Sequence, residues 1–151
     1  MMHFSKVLES CHVAVGVKAN DKAAALEAAA RLLCSGDDAL DLDTVMVAID
    51  DRERLASTGI GGGIAIPHAL IDGVKRTRMA VIRLAAPVAF DAKDGLPVDL
   101  IFMIAGSRTD TSSHLRLLSK LARMLHDPEL RNAARAVHDG QELTRLILDK
   151  G

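Results

Sequence analysis

The stretch with the most chemistry in this chain is Arg52-Glu53-Arg54-Leu55-Ala56-Ser57-Thr58-Gly59-Ile60-Gly61-Gly62-Gly63-Ile64-Ala65-Ile66-Pro67-His68. Its glycines match no nucleotide fingerprint. Ile64 stands three residues after Gly61, and no Gly-Lys-Ser/Thr follows to make a P-loop. Glycines nonetheless let backbone N–H groups turn toward an anion, so Gly61 and Gly63 are candidate phosphate-binding positions, with the Ser57 and Thr58 hydroxyls as further donors. A glycine cluster alone is more often a plain turn. This one ends in His68, just past a proline that cannot continue a strand ladder. Alone, that histidine would be an ordinary hydrogen-bonded loop residue. Its sharper reading is a nucleophile: neutral imidazole has one free lone pair near pH 7. It can attack phosphorus if its other nitrogen is held by an acceptor and donors surround the phosphoryl oxygens.

Two further residues fit that requirement. His114 shares a helical stripe with Leu118, Leu121 and Leu125, which turns it toward a sheet, and it falls in a first helical turn where the dipole favours an anion. Arg52 continues the inward stripe Leu42, Val45, Met46, Ile49 beside the glycine turn. By themselves they would be a buried structural histidine and a cation offsetting a helix C-terminus. Together with His68 they make one anion site. His3, His12, His126 and His138 lack a motif and read as surface residues. No His-Glu-x-x-His or zinc-like Cys/His spacing occurs, so neither metal nor cofactor is expected.

The elements that must carry these residues alternate. Val13 to Val17 has strand composition. Asn20 can cap a helix with Leu26, Ala29, Ala30 and Leu33 on one face, ended by Gly36. A second helix runs from about Asp43 to Ala56. Strands are expected at Ile64–Ile66, Met79–Leu84 and Val98–Ala105, with a turn or hairpin excursion between Pro87 and Pro97. The third is apolar at consecutive positions from Leu100 to Ala105, as in a central strand covered on both faces. The last third is helical. One helix has Leu118, Leu121, Ala122 and Leu125 inward, and a second, opened by Asp127-Pro128, turns Leu130, Ala133, Ala134 and Val137 inward. A short third, beyond Gly140, carries Leu143, Leu146 and Ile147. The expected fold is one α/β domain with helices packed on both sheet faces.

With 151 residues, 49% hydrophobic and 26% charged, the composition is that of one globular domain and excludes wholesale disorder. A net charge of -1 and only 2% aromatics argue against nucleic acid as a partner. No apolar run reaches the length of a membrane span, and Met1 to Ser10 lacks a signal-peptide core. Cys11 and Cys34 are too few for a disulfide framework. A reduced, cytoplasmic chain with no membrane insertion is expected.

The sequence resembles the fructose/nitrogen-type IIA family of the bacterial phosphoenolpyruvate-dependent phosphotransferase system. The residues that carry the likeness are Arg52-Glu53, the run Ser57-Thr58-Gly59-Ile60-Gly61-x-Gly63-Ile64-Ala65-Ile66-Pro67-His68, Phe90-Asp91-Ala92-x-Asp94, Pro97-Val98-Asp99-Leu100, and His114-Leu115 opening a helix. The likeness spans about residues 5 to 148. It implies a mixed β-sheet flanked by helices, a phosphoryl-accepting histidine at His68, a second active-site histidine at His114 and an active-site arginine at Arg52. The implied donor is a phosphocarrier protein, HPr or its nitrogen-branch relative NPr. The stand-alone length matches nitrogen-branch regulators read by other proteins through their phosphorylation state. The alternatives are a sugar-transport IIA passing phosphate to a separate IIB unit, and a non-catalytic anion-binding regulatory domain. Nitrogen-branch relatives often carry Asn at position 62 and Gly followed by a basic residue at positions 69 and 70. Here Gly62 and Ala69-Leu70 would remove polar groups from the rim of the site.

Overall fold

The computed structural model describes residues 7, 11–35 and 40–150. Among these, the elements are β1 (His12–Val17), α1 (Lys22–Cys34), α2 (Leu42–Leu55), β2 (Gly59–Gly61), β3 (Ile64–Ala65), β4 (His68–Ile71), β5 (Arg78–Val88), β6 (Val98–Ser107), α3 (Thr111–Leu125), α4 (Pro128–Ala136) and α5 (Gly140–Lys150). They form one mixed sheet in the order β1-β5-β6-β3-β2, with β4 also paired to β6. β5 and β6 make the antiparallel hairpin expected around Pro87 to Pro97; β1 runs parallel to β5, β3 and β4 run parallel to β6, and β2 runs antiparallel to β3.

β6 is the spine, and its alternation divides the core. Ile101, Met103 and Ala105 face one side with Ala80 and Ile82 of β5, under Leu26, Leu33, Val45 and Ile49 of α1 and α2. Leu100, Phe102 and Ile104 face the other side with Met79 and Val81, under Leu117, Leu121, Leu130 and Ile147 of α3 to α5. Six successive fully buried apolar residues in one strand are the signature of a sheet covered on both faces. No helix among the described residues is long and apolar enough to cross a membrane.

Several local expectations are corrected. Asp21, not Asn20, caps α1 by accepting the Ala24 N–H, and α2 begins at Leu42 behind an Asp41 cap. α1 ends at Cys34 with Ser35 as its cap; Gly36 and His3 lie outside the described residues. In α3 the buried stripe is His114, Leu117, Leu121 and Leu125, while Leu118 is half-buried and Ala122 exposed. Both stripes have helical spacing, and the sheet selects the one centred on Leu117. Gly140 opens α5, where a Cβ would lie 2.8 Å from the Val13 carbonyl oxygen; the bare backbone lets the helix start against β1. His126 and His138 are exposed and His12 is half-buried in β1.

Two strands escape the sequence pattern. β2 is three residues around glycine, and β4 resumes parallel pairing with β6 straight after Pro67. The proline offers no N–H, but its carbonyl still accepts from the Ile104 N–H at 2.9 Å, so the ladder bridges it.

Candidate active site

β4 places His68 beside Ile104 of β6, at the end of the sheet where α3 begins. Paired residues of parallel strands share a face, so His68 points with Ile104 to the α3 side. Its Nδ1 lies 2.7 Å from the Ile66 carbonyl oxygen. A carbonyl only accepts, so Nδ1 carries the proton and Nε2 keeps the free lone pair. Burial lowers the His68 pKa first. The Ile66 bond and the Glu53 charge oppose this, and the Arg52 charge adds to it. The ring is therefore neutral at pH 7, the state a nucleophile needs.

His114 arrives from the first turn of α3. Asp110 caps that helix, accepting from the Ser113 backbone N–H and hydroxyl. The His114 ring centroid is 5.7 Å from that of His68, with the planes tilted by 49°. It is only 5% exposed, and burial, with a smaller contribution from His68, pushes its pKa down to about 4. Its Nδ1 is buried with no hydrogen-bond partner. A stranded lone pair costs less than a stranded N–H, so the proton belongs on Nε2. One ring thus has a lone pair at Nε2 and its neighbour an N–H at Nε2: a nucleophile beside a donor.

Arg52 is half-buried in the last turn of α2, donating from Nη1 to the Ala56 carbonyl at 3.0 Å. Its guanidinium is felt at His68, so cation and nucleophile share one field. Ser57 and Thr58 hold the adjoining segment. The Ser57 hydroxyl donates to the Phe90 carbonyl at 2.7 Å and accepts from the Gly59 N–H at 3.1 Å. The buried Thr58 hydroxyl donates to the Glu53 carboxylate, and the Thr58 carbonyl accepts from the Ile66 N–H at 3.0 Å. Both hydroxyl protons are already committed within the protein.

Gly61 and Gly63 are not brought to His68. The sheet pairs Ile64 with Leu100 and His68 with Ile104, four residues further along. At ~3.3 Å per residue the glycine turn lies about 13 Å away. All three glycines have positive φ, at 98°, 65° and 81°. The Gly62 N–H donates to Asp94 and its carbonyl accepts from Arg135, which also pairs with Asp99, while the Gly63 carbonyl accepts from the Asp99 and Leu100 N–H groups. Gly62 faces the Arg131 side chain, not the rim of the histidine pair. Ala69 and Leu70, by contrast, directly follow His68 in β4.

Glu53 is the residue whose part sequence reasoning left unassigned. Its side chain is 7% exposed, accepts from the Thr58 N–H at 3.3 Å and pairs with Lys22 Nζ at 2.9 Å. Lys22 also lies 4.6 Å from the centre of the Phe90 ring. An acid directly after Arg52 and five residues before a threonine was the only available signal. The Phe90-Asp91-Ala92-x-Asp94 stretch likewise proves to be a brace: Phe90 and Asp94 hold the segments on either side of β2.

The chain matches the family model described as "Phosphoenolpyruvate-dependent sugar phosphotransferase system, EIIA 2" over residues 6–150. It is 36% identical to a nitrogen regulatory protein of Pseudomonas aeruginosa over 149 residues, covering 99% of this chain and 97% of that one. It superposes on the crystal structure of the nitrogen regulatory protein IIA-Ntr of Neisseria meningitidis with a TM-score of 0.85 and 34% identity, over 95% of this chain and 97% of that one. The mannitol IIA of Escherichia coli, at 24% identity and a TM-score of 0.76 over 90% and 95% of the two chains, shares the fold. A sheet that ends in a paired His68 and His114, on a chain matched from end to end, thus belongs to the type-2 EIIA family of the phosphoenolpyruvate-dependent phosphotransferase system.

Proposed function

We propose that His68 accepts a phosphoryl group on Nε2 from the phosphohistidine of a phosphocarrier protein, HPr or NPr. The observation that carries this is the Nδ1 bond to Ile66, which leaves Nε2 as the free nucleophile beside His114. The Nε2 lone pair forms a bond to phosphorus, while the donor's nitrogen–phosphorus bond breaks and returns its electron pair to the donor ring. With the donor ring protonated on its other nitrogen, no proton need move: the His68 proton stays on Nδ1, donated to the Ile66 carbonyl, and stabilises the phosphorylated ring. His114 Nε2–H and Arg52 meet the phosphoryl oxygens, where donors positioned in advance act at full strength because burial has removed competing water.

The output is a regulatory one, as the names of the Pseudomonas and Neisseria relatives suggest. Phosphorylation adds nearly two negative charges beside Ala69 and Leu70, and a cytoplasmic protein partner docking there would sense them. The competing reading is delivery of the phosphoryl group to a IIB unit. It draws on 41% identity to the fructose-specific EIIA component of Haloferax volcanii, over 60% of this chain and 59% of that one.

Incubation with phosphoenolpyruvate, the general phosphotransferase enzyme and a phosphocarrier, followed by intact-mass measurement, tests the carrier step. Wild type should gain one acid-labile phosphoryl group and His68→Ala none; uptake by His68→Ala at the wild-type level refutes the assignment. A pull-down with both forms, phosphorylated and not, tests the output. Recovery only of a IIB unit that rapidly takes the phosphoryl group supports transport instead.

A further inference from the structure

The His114 ring rests on a strand position that has no side chain. A methyl group built on Gly106 would collide with the near edge of the ring, 2.6 Å from Cγ, 3.0 Å from Cβ and closest of all to Nδ1. Nδ1 and Cγ belong to a planar ring and Cβ ties that ring to the backbone of α3, so they cannot swing aside as a flexible chain end would. The backbone gives no other reason for glycine here. Gly106 lacks the positive φ seen at six other glycines, and it keeps its rung in β6 opposite Leu70. It is the absence of a Cβ that matters, not conformational freedom.

The register shows what the seat achieves. Ile104, opposite His68, and Gly106, opposite Leu70, are two residues apart on one strand and face the same side of the sheet. A ring lying on Gly106 is therefore next to a ring standing on the rung of Ile104, which is the 5.7 Å separation observed. The bare glycine surface also offers Nδ1 no acceptor, which keeps the His114 proton on Nε2.

We propose that Gly106 is a positioning residue for phosphoryl transfer, acting through His114: its missing side chain holds the imidazole beside His68 and fixes which nitrogen donates. This rests on the carrier reading above. Gly106→Ala should slow single-turnover transfer onto His68 by roughly a hundredfold, the loss of one preorganised donor. The same substitution in a His114→Ala background has no ring to displace and should leave that variant's rate unchanged within about twofold. Independently of transfer, the NMR titration midpoint of His114 in Gly106→Ala should climb from about 4 toward the ordinary histidine value as the ring leaves its buried seat.

If Gly106→Ala unfolds, the double variant decides, because removing the ring makes room for the methyl. A double variant that refolds and melts well above the single supports the seat, and equal destabilisation of both overturns it. The proposal is also overturned by a wild-type rate with an unmoved midpoint, or by equal slowing in the His114→Ala background. Should His114→Ala itself transfer at the wild-type rate, the midpoint would still report the contact. The role of Gly106 in transfer would be refuted, while uptake by His68 would leave the carrier reading standing.

Discussion

Lowering the pH from 7 to 5 should destabilise this protein by about 2 kcal/mol through His114 alone. The folded ring titrates at about 4, because burial penalises its charged form, whereas in the unfolded chain it titrates near ~6.5. A histidine with a depressed folded pKa binds its proton more readily when unfolded. Its contribution is therefore fully present above ~6.5, declines as the pH falls, and is gone below about 4. At roughly 1.4 kcal/mol per pH unit the whole window spans about 3 kcal/mol, of which about 2 lies between pH 7 and pH 5. The group is almost wholly buried, so solvent screening takes little from this figure. The chain has no Trp or Tyr, so urea unfolding is best followed by far-UV circular dichroism. His114→Ala removes the titrating ring and retains His68, whose own lowered pKa acts in the same direction in both proteins. The comparison is therefore of slopes: the wild type should lose about 2 kcal/mol more than the variant between the two pH values. Parallel slopes would refute the reasoning and show that the imidazole is solvated when folded.

Arg52→Ala should slow phosphoryl uptake on His68 about a hundredfold, and Arg52→Lys should recover only part of that, since an ammonium lacks the planar fork; rapid-quench phosphorylation measures both, and equal rates would return Arg52 to capping α2. Glu53→Gln should lower stability by about 1–3 kcal/mol, because Lys22 loses its charge partner beneath α1; urea midpoints check it, with Lys22→Met in the same background expected to restore part of the loss. Gly59→Ala would set a Cβ 2.8 Å from that of Ala92, at a cost of about 1–3 kcal/mol. Adding Ala92→Gly should relieve most of this in a thermal melt, and failure to do so would place the strain elsewhere.

The three residues proposed to act in transfer stood out in the sequence because each carried two coincident signals. His68 combined a strand end with a glycine run, His114 a helix stripe with a first turn, and Arg52 an inward stripe with a helix end. The glycines lie away from His68 for a physical reason. Gly61 and Gly63 do supply the left-handed turn expected of them, but whether a turn faces an anion or a helix depends on register. That register is set by β3 pairing four rungs from His68. β4 was invisible because a proline inside a run argues against a strand, and only the neighbouring Ile104 N–H shows that the ladder bridges it. Arg83 was equally unreadable. It stands in the apolar run of β5, yet it satisfies the Ala134 and Val137 carbonyls at the end of α4, at 2.9 and 2.7 Å. Nothing local to β5 encodes a partner more than fifty residues away.

The rung between Thr58 and Ile66 bears on how this protein can vary. Gly59 pairs with Ala65 and Thr58 with Ile66 in antiparallel register, so one further rung pair would lay residue 56 directly over His68. At that position the chain has already left the ladder: Ala56 caps α2, and its carbonyl is taken by Arg52. The helix end thus acts as a stop that keeps the outer edge of β4 open at the nucleophile, and it delivers a cation where a covering strand would run. Surface connections usually accept added residues at little thermodynamic expense. This one should not. A single inserted residue between Ala56 and Thr58 would uncouple the arginine from the histidine while leaving both in the sequence. Among homologues, then, the spacing from Arg52 to His68 should resist insertions and deletions more strictly than the identities of most residues inside it.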